Sequence, residues 1–262
     1  MWNIMKAQNY QLKRDNLLYY LLAAGLAALL LPFFFQDAQV PAELTAGSYL
    51  VQMGELFPFF FVVISLLLTC RICGWDYNDK TINYEILSGH ARGEIYWGRA
   101  LVSLLWSAGT CAGFSLLPVL LLTALNGWGV SMDMGNVMRR YALMLFPILR
   151  LVCEFVLLTF LLQNCYVAMI IGWVLYETTA IVLMIAEETA EVRLTSQFAY
   201  TNMNRLFDFT HGKLDYVNGK DVIVYSTAID APMVLGTIGT SLLVSAICLL
   251  AGYLVYKRSD QN

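Results

Sequence analysis

Charge is what this sequence has least of. Only 13% of its 262 residues are charged while 59% are hydrophobic, and the mean hydropathy is +0.62; soluble domains carry about 25% charged residues. A net charge of -3, with no run of Lys or Arg, removes the basic footprint that nucleic-acid binding requires. Catalytic signatures are missing as well. No H-E-x-x-H, no G-x-S-x-G and no pair of intramembrane aspartates occurs, and His90 and His211 each stand alone in polar segments. The stretch 74–81 nearly spells a phosphate-binding loop, but Asp79 stands where the second glycine is needed. A carboxylate there would repel the anion that the loop's backbone N–H groups are meant to receive.

A disulfide framework is also lacking. Cys70, Cys73, Cys111, Cys153, Cys165 and Cys248 all fall in or at the ends of apolar blocks, where they read as small packing residues. Cys70 and Cys73 form a C-x-x-C pair, yet no second pair or nearby histidine completes a tetrahedral metal site. Nor does the start read as a secretory leader. Residues 17–35 contain no charge and exceed the roughly 7 to 15 residues of a signal h-region, so they read as an uncleaved first span.

What the chain has in abundance is long apolar blocks near the roughly 20 residues that cross a bilayer. Six spans are expected, at about 17–35, 49–73, 96–125, 141–162, 166–186 and 232–256. Hydrocarbon forces the backbone to satisfy its own hydrogen bonds, and no alternating strand pattern appears. The expected fold is therefore an all-α polytopic membrane protein, a single domain over 1–262. Lys6, Lys13, Arg14, Arg71, Lys80, Arg92, Arg99, Lys257 and Arg258 fall on one side of this arrangement, against Arg139 and Arg140 in the short loops of the other. The positive-inside rule then makes both termini cytoplasmic. Before the first span, Trp2, Met5 and Leu12 near one helical face predict an interfacial helix over 1–16, with Lys6, Gln8 and Lys13 elsewhere. The long polar segment 187–231 is expected outside. Its Asn218-Gly219 between β-prone runs signals a hairpin, and its first half reads as helix lying against the membrane surface.

Ionisable groups inside spans need partners or water. Arg150 and Glu154 are one helical turn apart, and the tight turn near Asn164 brings Glu177 level with Arg150, which predicts a three-residue charge cluster. The plainer reading of that cluster is an ionic lock on a helix hairpin; a substrate-contacting or proton-relay role is the other. Glu55 near the outer end of the second span, and Thr178 beside Glu177, are candidates for a water-facing path. Gly109 and Gly113 offer a small-xxx-small packing face.

The one sizeable cytoplasmic loop, 75–95, carries helix punctuation: Asp79 at the start, an apolar stripe of Ile82, Ile86 and Leu87, and Gly89 at the end. Such a short amphipathic helix suits docking in a groove on a soluble partner. At these residues the sequence resembles the permeases of ABC exporters of the ABC-2 type. Members carry an acidic residue with Lys-Thr, a hydrophobic helix ending in Leu-Ser-Gly, an Arg and an Ile-Tyr-x-Gly-Lys/Arg run after the second span. Here these are Asp79-Lys80-Thr81, Glu85-Ile86-Leu87-Ser88-Gly89, Arg92 and Ile95-Tyr96-Trp97-Gly98-Arg99.

The resemblance implies a half-transporter in a bacterial cell membrane, paired with a second permease, identical or homologous, and with two ATPase subunits that bind the ATP and Mg. This chain would hold no cofactor, and its loop helix would pass nucleotide-driven closure to the spans. By the same resemblance the first and fifth spans meet the opposite permease, and the first, second and fifth line the path. Among amphiphilic substrates, the small stand-alone permeases of this family point to peptides such as bacteriocins or lantibiotics, exported in self-protection. A different class of answer is a self-contained ion-coupled carrier using Glu55, Glu154, Arg150 and Glu177 as a relay, although no inverted repeat supports it.

Overall fold

The computed structural model describes residues 1–16, 19–21, 23–25, 27, 45–79, 81–190, 198–209, 212–217, 220–225 and 229–258. The expected first span lies largely outside these residues; those of its positions that are described are helical. Helix α1 (Trp2–Arg14) forms where the interfacial helix was expected, but its phase differs. It buries Ile4, Gln8 and Leu12, spaced four apart, and leaves Trp2 64% exposed. Gln8 is the reason: its amide bonds a buried carboxylate below, so the polar residue, not the indole, sits on the protein face.

The expected second span is two helices. Helix α2 (Ala46–Met53) starts with the Thr45 side chain accepting from Ser48 N and stops at Gly54, and α3 (Phe57–Asn78) starts anew. Pro58 has no N–H to give the carbonyl of residue 54, so the chain breaks into a turn through Gly54, Glu55 and Leu56 before continuing. A Cβ on Gly54 would lie 2.6 Å from the Phe207 carbonyl, which leaves room there for glycine only.

After the short loop helix α4 (Ile82–Leu87) come α5 (Arg92–Asn126), α6 (Met134–Leu162) and α7 (Cys165–Ala190). A second short helix, α8 (Ala199–Phe207), and a hairpin of β1 (Gly212–Val217) and β2 (Lys220–Tyr225) precede the last helix, α9 (Ala231–Arg258). Among the described residues, five helices are long and apolar enough to cross a membrane: α3, α5, α6, the Cys165–Leu183 part of α7, and α9. Length and composition thus make this a membrane-embedded helical protein. At 1.5 Å per residue, the 22 residues of α3 reach about 33 Å, close to the thickness of a bilayer core.

Apolar on all sides, α3 is the central pillar; 72% of its apolar stretch is buried, against 17% for α7 and α9. It packs on α5, α6 and α7. Helix α6 turns into α7 through Gln163 in a left-handed conformation (φ 52°), and the Asn164 side chain accepts from the N–H groups of Tyr166 and Val167. Helix α9 lies along α6. Its buried positions are Thr237, Ser241, Ser245, Cys248, Gly252 and Tyr256, a seam of mostly small residues that lets two backbones approach closely. All six cysteines are free and buried, as their apolar settings predict.

At the end of the bundle remote from α4, α8 forms in the first half of the long segment and packs on the bundle. It buries Ala199, Asn202, Met203, Leu206 and Phe207 against α6 and α3. Arg140 Nη1 donates to the carbonyl of Leu206 (3.0 Å), and the Phe207 ring stands edge-on to Phe57 (5.4 Å) and Tyr141 (5.3 Å). The hairpin pairs Gly212 with Tyr225 and Val217 with Lys220, the register that a two-residue Asn-Gly connection gives. Tyr225 N donates to the Ser131 carbonyl, fastening the hairpin to the α5–α6 loop.

Candidate functional site

The loop between α3 and α5 folds back on the helix that precedes it. Thr81 donates twice to Asp76, from its backbone N–H to the Asp76 carbonyl (2.9 Å) and from its hydroxyl to Asp76 Oδ1 (2.9 Å). Helix α4 then runs for six residues and ends at Ser88, whose hydroxyl donates to the Glu85 carbonyl, and at Gly89, whose positive φ of 90° reverses the chain. Arg92 at the head of α5 donates to the Lys257 carbonyl (3.1 Å), so the same end of the bundle also holds the last turn of α9.

Beneath α4 lies a buried ion cluster. Arg99 is wholly enclosed, and its Nη2 sits 2.6 Å from Asp76 Oδ2 on α3 and 2.8 Å from Glu85 Oε2 on α4. Asp76 Oδ2 also accepts from Gln8 Nε2 on α1 (3.1 Å). One guanidinium therefore joins two carboxylates, and with Gln8 four helices meet through four side chains. A buried unpaired guanidinium is expensive to desolvate, and the two carboxylates offset that penalty; loss of either partner group leaves charge uncompensated. Alongside, Arg71 pairs with Asp15, and its guanidinium carbon lies 3.2 Å from the centre of the Trp75 ring. A polar cleft of about 480 Å³ opens here, with Gln8, Arg14, Arg71 and Asp79 on its walls.

The sequence-predicted loop residues divide into inward and outward groups. Glu85 points to Arg99 and Ile86 packs on the core, whereas Tyr84 is 71% and Leu87 80% exposed. The expected stripe of Ile82, Ile86 and Leu87 is thus not one face: Ile86 and Leu87 are neighbours in sequence and point about 100° apart. Lys80 and the side chain of Ile82 lie outside the described residues. Asp79 terminates α3 instead of capping α4, because the tight Thr81–Asp76 turn places Thr81 at that cap. Residues 74–78 belong to α3, so their N–H groups are spent within a helix and form no phosphate cradle. A Cβ on Gly74 would lie 2.9 Å from the Cys165 Cα, which accounts for that glycine by helix crossing.

Within the spans, Arg150 Nε donates to Glu154 Oε1 at 2.7 Å on α6. Glu177, on α7, forms no ion pair with Arg150 among the described residues. The inward face of α7 is set by Cys165, Ala168, Gly172 and Tyr176, and Glu177 stands one residue off it. Thr178 is exposed and spends its hydroxyl on the Val174 carbonyl (2.7 Å), while Glu55 is exposed in the turn between α2 and α3. The expected path residues are therefore not gathered into one site. Cys70 and Cys73 are satisfied separately, Cys70 by Thr159 (3.5 Å) and Cys73 by Ser103 (3.3 Å), and no group of metal-ligating side chains occurs among the described residues.

Sequence reasoning missed Asp76 and Arg99 as partners. The signal was present: Arg99 falls just inside an apolar block, and the demand for a counter-charge applied to Arg150 applies equally to it. The chain matches no family model, no curated protein and no solved structure. Fold and site together define a membrane-embedded helical bundle with an exposed loop helix tied to a buried charge cluster.

Proposed function

We propose that this chain is the membrane subunit of an ATP-driven exporter of the ABC-2 type, with ATP bound and hydrolysed by separate subunits. It moves an amphiphilic substrate, with antimicrobial peptides as the favoured class, by switching between two shapes of the bundle. One observation carries the reading. On the six residues of α4, Tyr84 and Leu87 offer an apolar pair to solvent, while Glu85 between them reaches the enclosed Arg99. The exposed pair is a handle for a soluble partner. The enclosed pair turns movement of that handle into movement of α1, α3 and α5.

The test is copurification of an ATP-binding-cassette subunit with the tagged chain from its native membrane. Replacing both Tyr84 and Leu87 by Asp removes the partner and substrate-stimulated ATP hydrolysis while the bundle's melting temperature holds, since both side chains are at the surface. An intact complex in that variant rejects the reading. Solute movement by the chain alone in liposomes, driven by an ion gradient, rejects it too.

A further inference from the structure

A cleft of about 660 Å³ runs along α5, with α1 at one end and Leu21 and Gly25 on its opposite wall. Its α5 wall extends from Val102 to Leu117, about 22 Å at 1.5 Å per residue. That is deeper than one leaflet of hydrocarbon, about half of a 30 Å core.

The lining is graded. At the α1 end lie Trp2, Lys6 and Asn9; at the other end the walls are apolar, with Phe114 and Leu117. Among the described lining residues Lys6 is the only charged one, and no ion pair among the described residues engages it. Its ammonium stands 5.7 Å from the Trp2 ring centre. Asn9 Oδ1 accepts from Trp106 Nε1 (3.0 Å), which leaves the amide N–H2 of Asn9 as a further donor at that end.

The floor is open. A Cβ built on Gly109 or Gly113 would meet nothing within 4 Å, so these glycines seat no neighbouring helix among the described residues. Each weakens α5 relative to Ala, without the close approach among the described residues that usually accompanies such a pair. What they do is widen the cleft along its apolar length.

We propose that this cleft binds an anionic phospholipid of the surrounding bilayer. The phosphate sits at Lys6 and Asn9, where the wall's one charge is positive and the donors converge, and one acyl chain runs over Gly109 and Gly113. An amphipathic wall with a cation at one end and glycines along the rest matches that ligand in charge, in depth and in the order of its parts.

The experiment uses the purified chain in nanodiscs and reads tryptophan fluorescence quenched by brominated acyl chains, with a Trp106→Phe variant to isolate the Trp106 signal. Trp106 is quenched by brominated phosphatidylglycerol in preference to brominated phosphatidylcholine, by roughly fivefold in apparent affinity, the strength of one Lys beside a charged leaflet. Lys6→Glu abolishes the headgroup preference. Gly109→Leu combined with Gly113→Leu removes Trp106 quenching by both lipids; leucine meets no described atom there and favours the helix, so a melting temperature that holds or rises separates this from misfolding. Equal quenching by the two headgroups in the unsubstituted chain overturns the proposal. So does full quenching in the double leucine variant, or none in the unsubstituted chain, the result expected if the chain's own residues 28–44 or a partner helix fill the cleft. ATPase is absent from the assay, so its outcome is independent of the exporter reading.

Discussion

Glu85, on an exposed loop helix, ends 2.8 Å from Nη2 of Arg99, a side chain that no solvent reaches. The same nitrogen meets Asp76, so displacement of α4 is felt at α3 and, through Gln8, at α1. Arg99→Met leaves the buried Asp76 and the partly exposed Glu85 without their counter-charge and is expected to lower stability by about 3–5 kcal/mol. Thermal unfolding of the purified variant in detergent measures this. Adding Asp76→Asn recovers part of the loss; strictly additive losses would mean that the two side chains act separately.

Glu85→Gln separates anchoring from transmission. Its side chain is partly exposed, and the exposed pair Tyr84 and Leu87 is untouched. The ATPase subunit should still copurify, while substrate-stimulated hydrolysis falls several-fold. Loss of the complex itself would assign Glu85 to the interface instead.

Arg150→Leu strands Glu154, which lies 2.7 Å away on the same helix. Glu154→Gln in that background should restore stability, whereas Glu177→Gln should add nothing, since α7 directs Tyr176 inward at that level. Melting temperatures of the single and double variants decide between the two carboxylates, and rescue by Glu177→Gln would favour the three-residue cluster expected from the hairpin.

Two alanines in place of glycine should act in opposite directions. At Gly109 a Cβ meets no described atom within 4 Å, and Gly109→Ala is expected to stabilise by about 1 kcal/mol. At Gly252 a Cβ would lie 2.6 Å from the Tyr96 hydroxyl, which donates to the Leu249 carbonyl. Gly252→Ala therefore parts α5 from α9 and should destabilise by roughly 1–3 kcal/mol. Thermal melts of the pair check the sign.

Hydropathy made the long helices legible, since each crosses with an apolar stretch that the sequence displays whole. The second expected span was misread because hydropathy is blind to a missing N–H: Phe57 and Phe59 look continuous with Tyr49, while Pro58 ends the ladder between them. The phase of α1 was lost for the opposite reason. A polar Gln8 turned inward only because Asp76, 68 residues on, awaits it, and no local pattern reports such a contact. The loop motif singled out the segment that carries α4, but not which of Ile86 and Leu87 stays wet. That choice follows from Glu85 being drawn to Arg99, a long-range pairing in which one end lay unrecognised inside an apolar block.

Asp76 sits near one end of α3 and Phe57 at the other, clasped respectively by the charge cluster and by the ring of Phe207. A straight rod gripped at both tips cannot tilt at one without swinging the other. Helix α8 on the far side thereby touches the same rod that the loop grips some 30 Å away, a length close to that of a bilayer core.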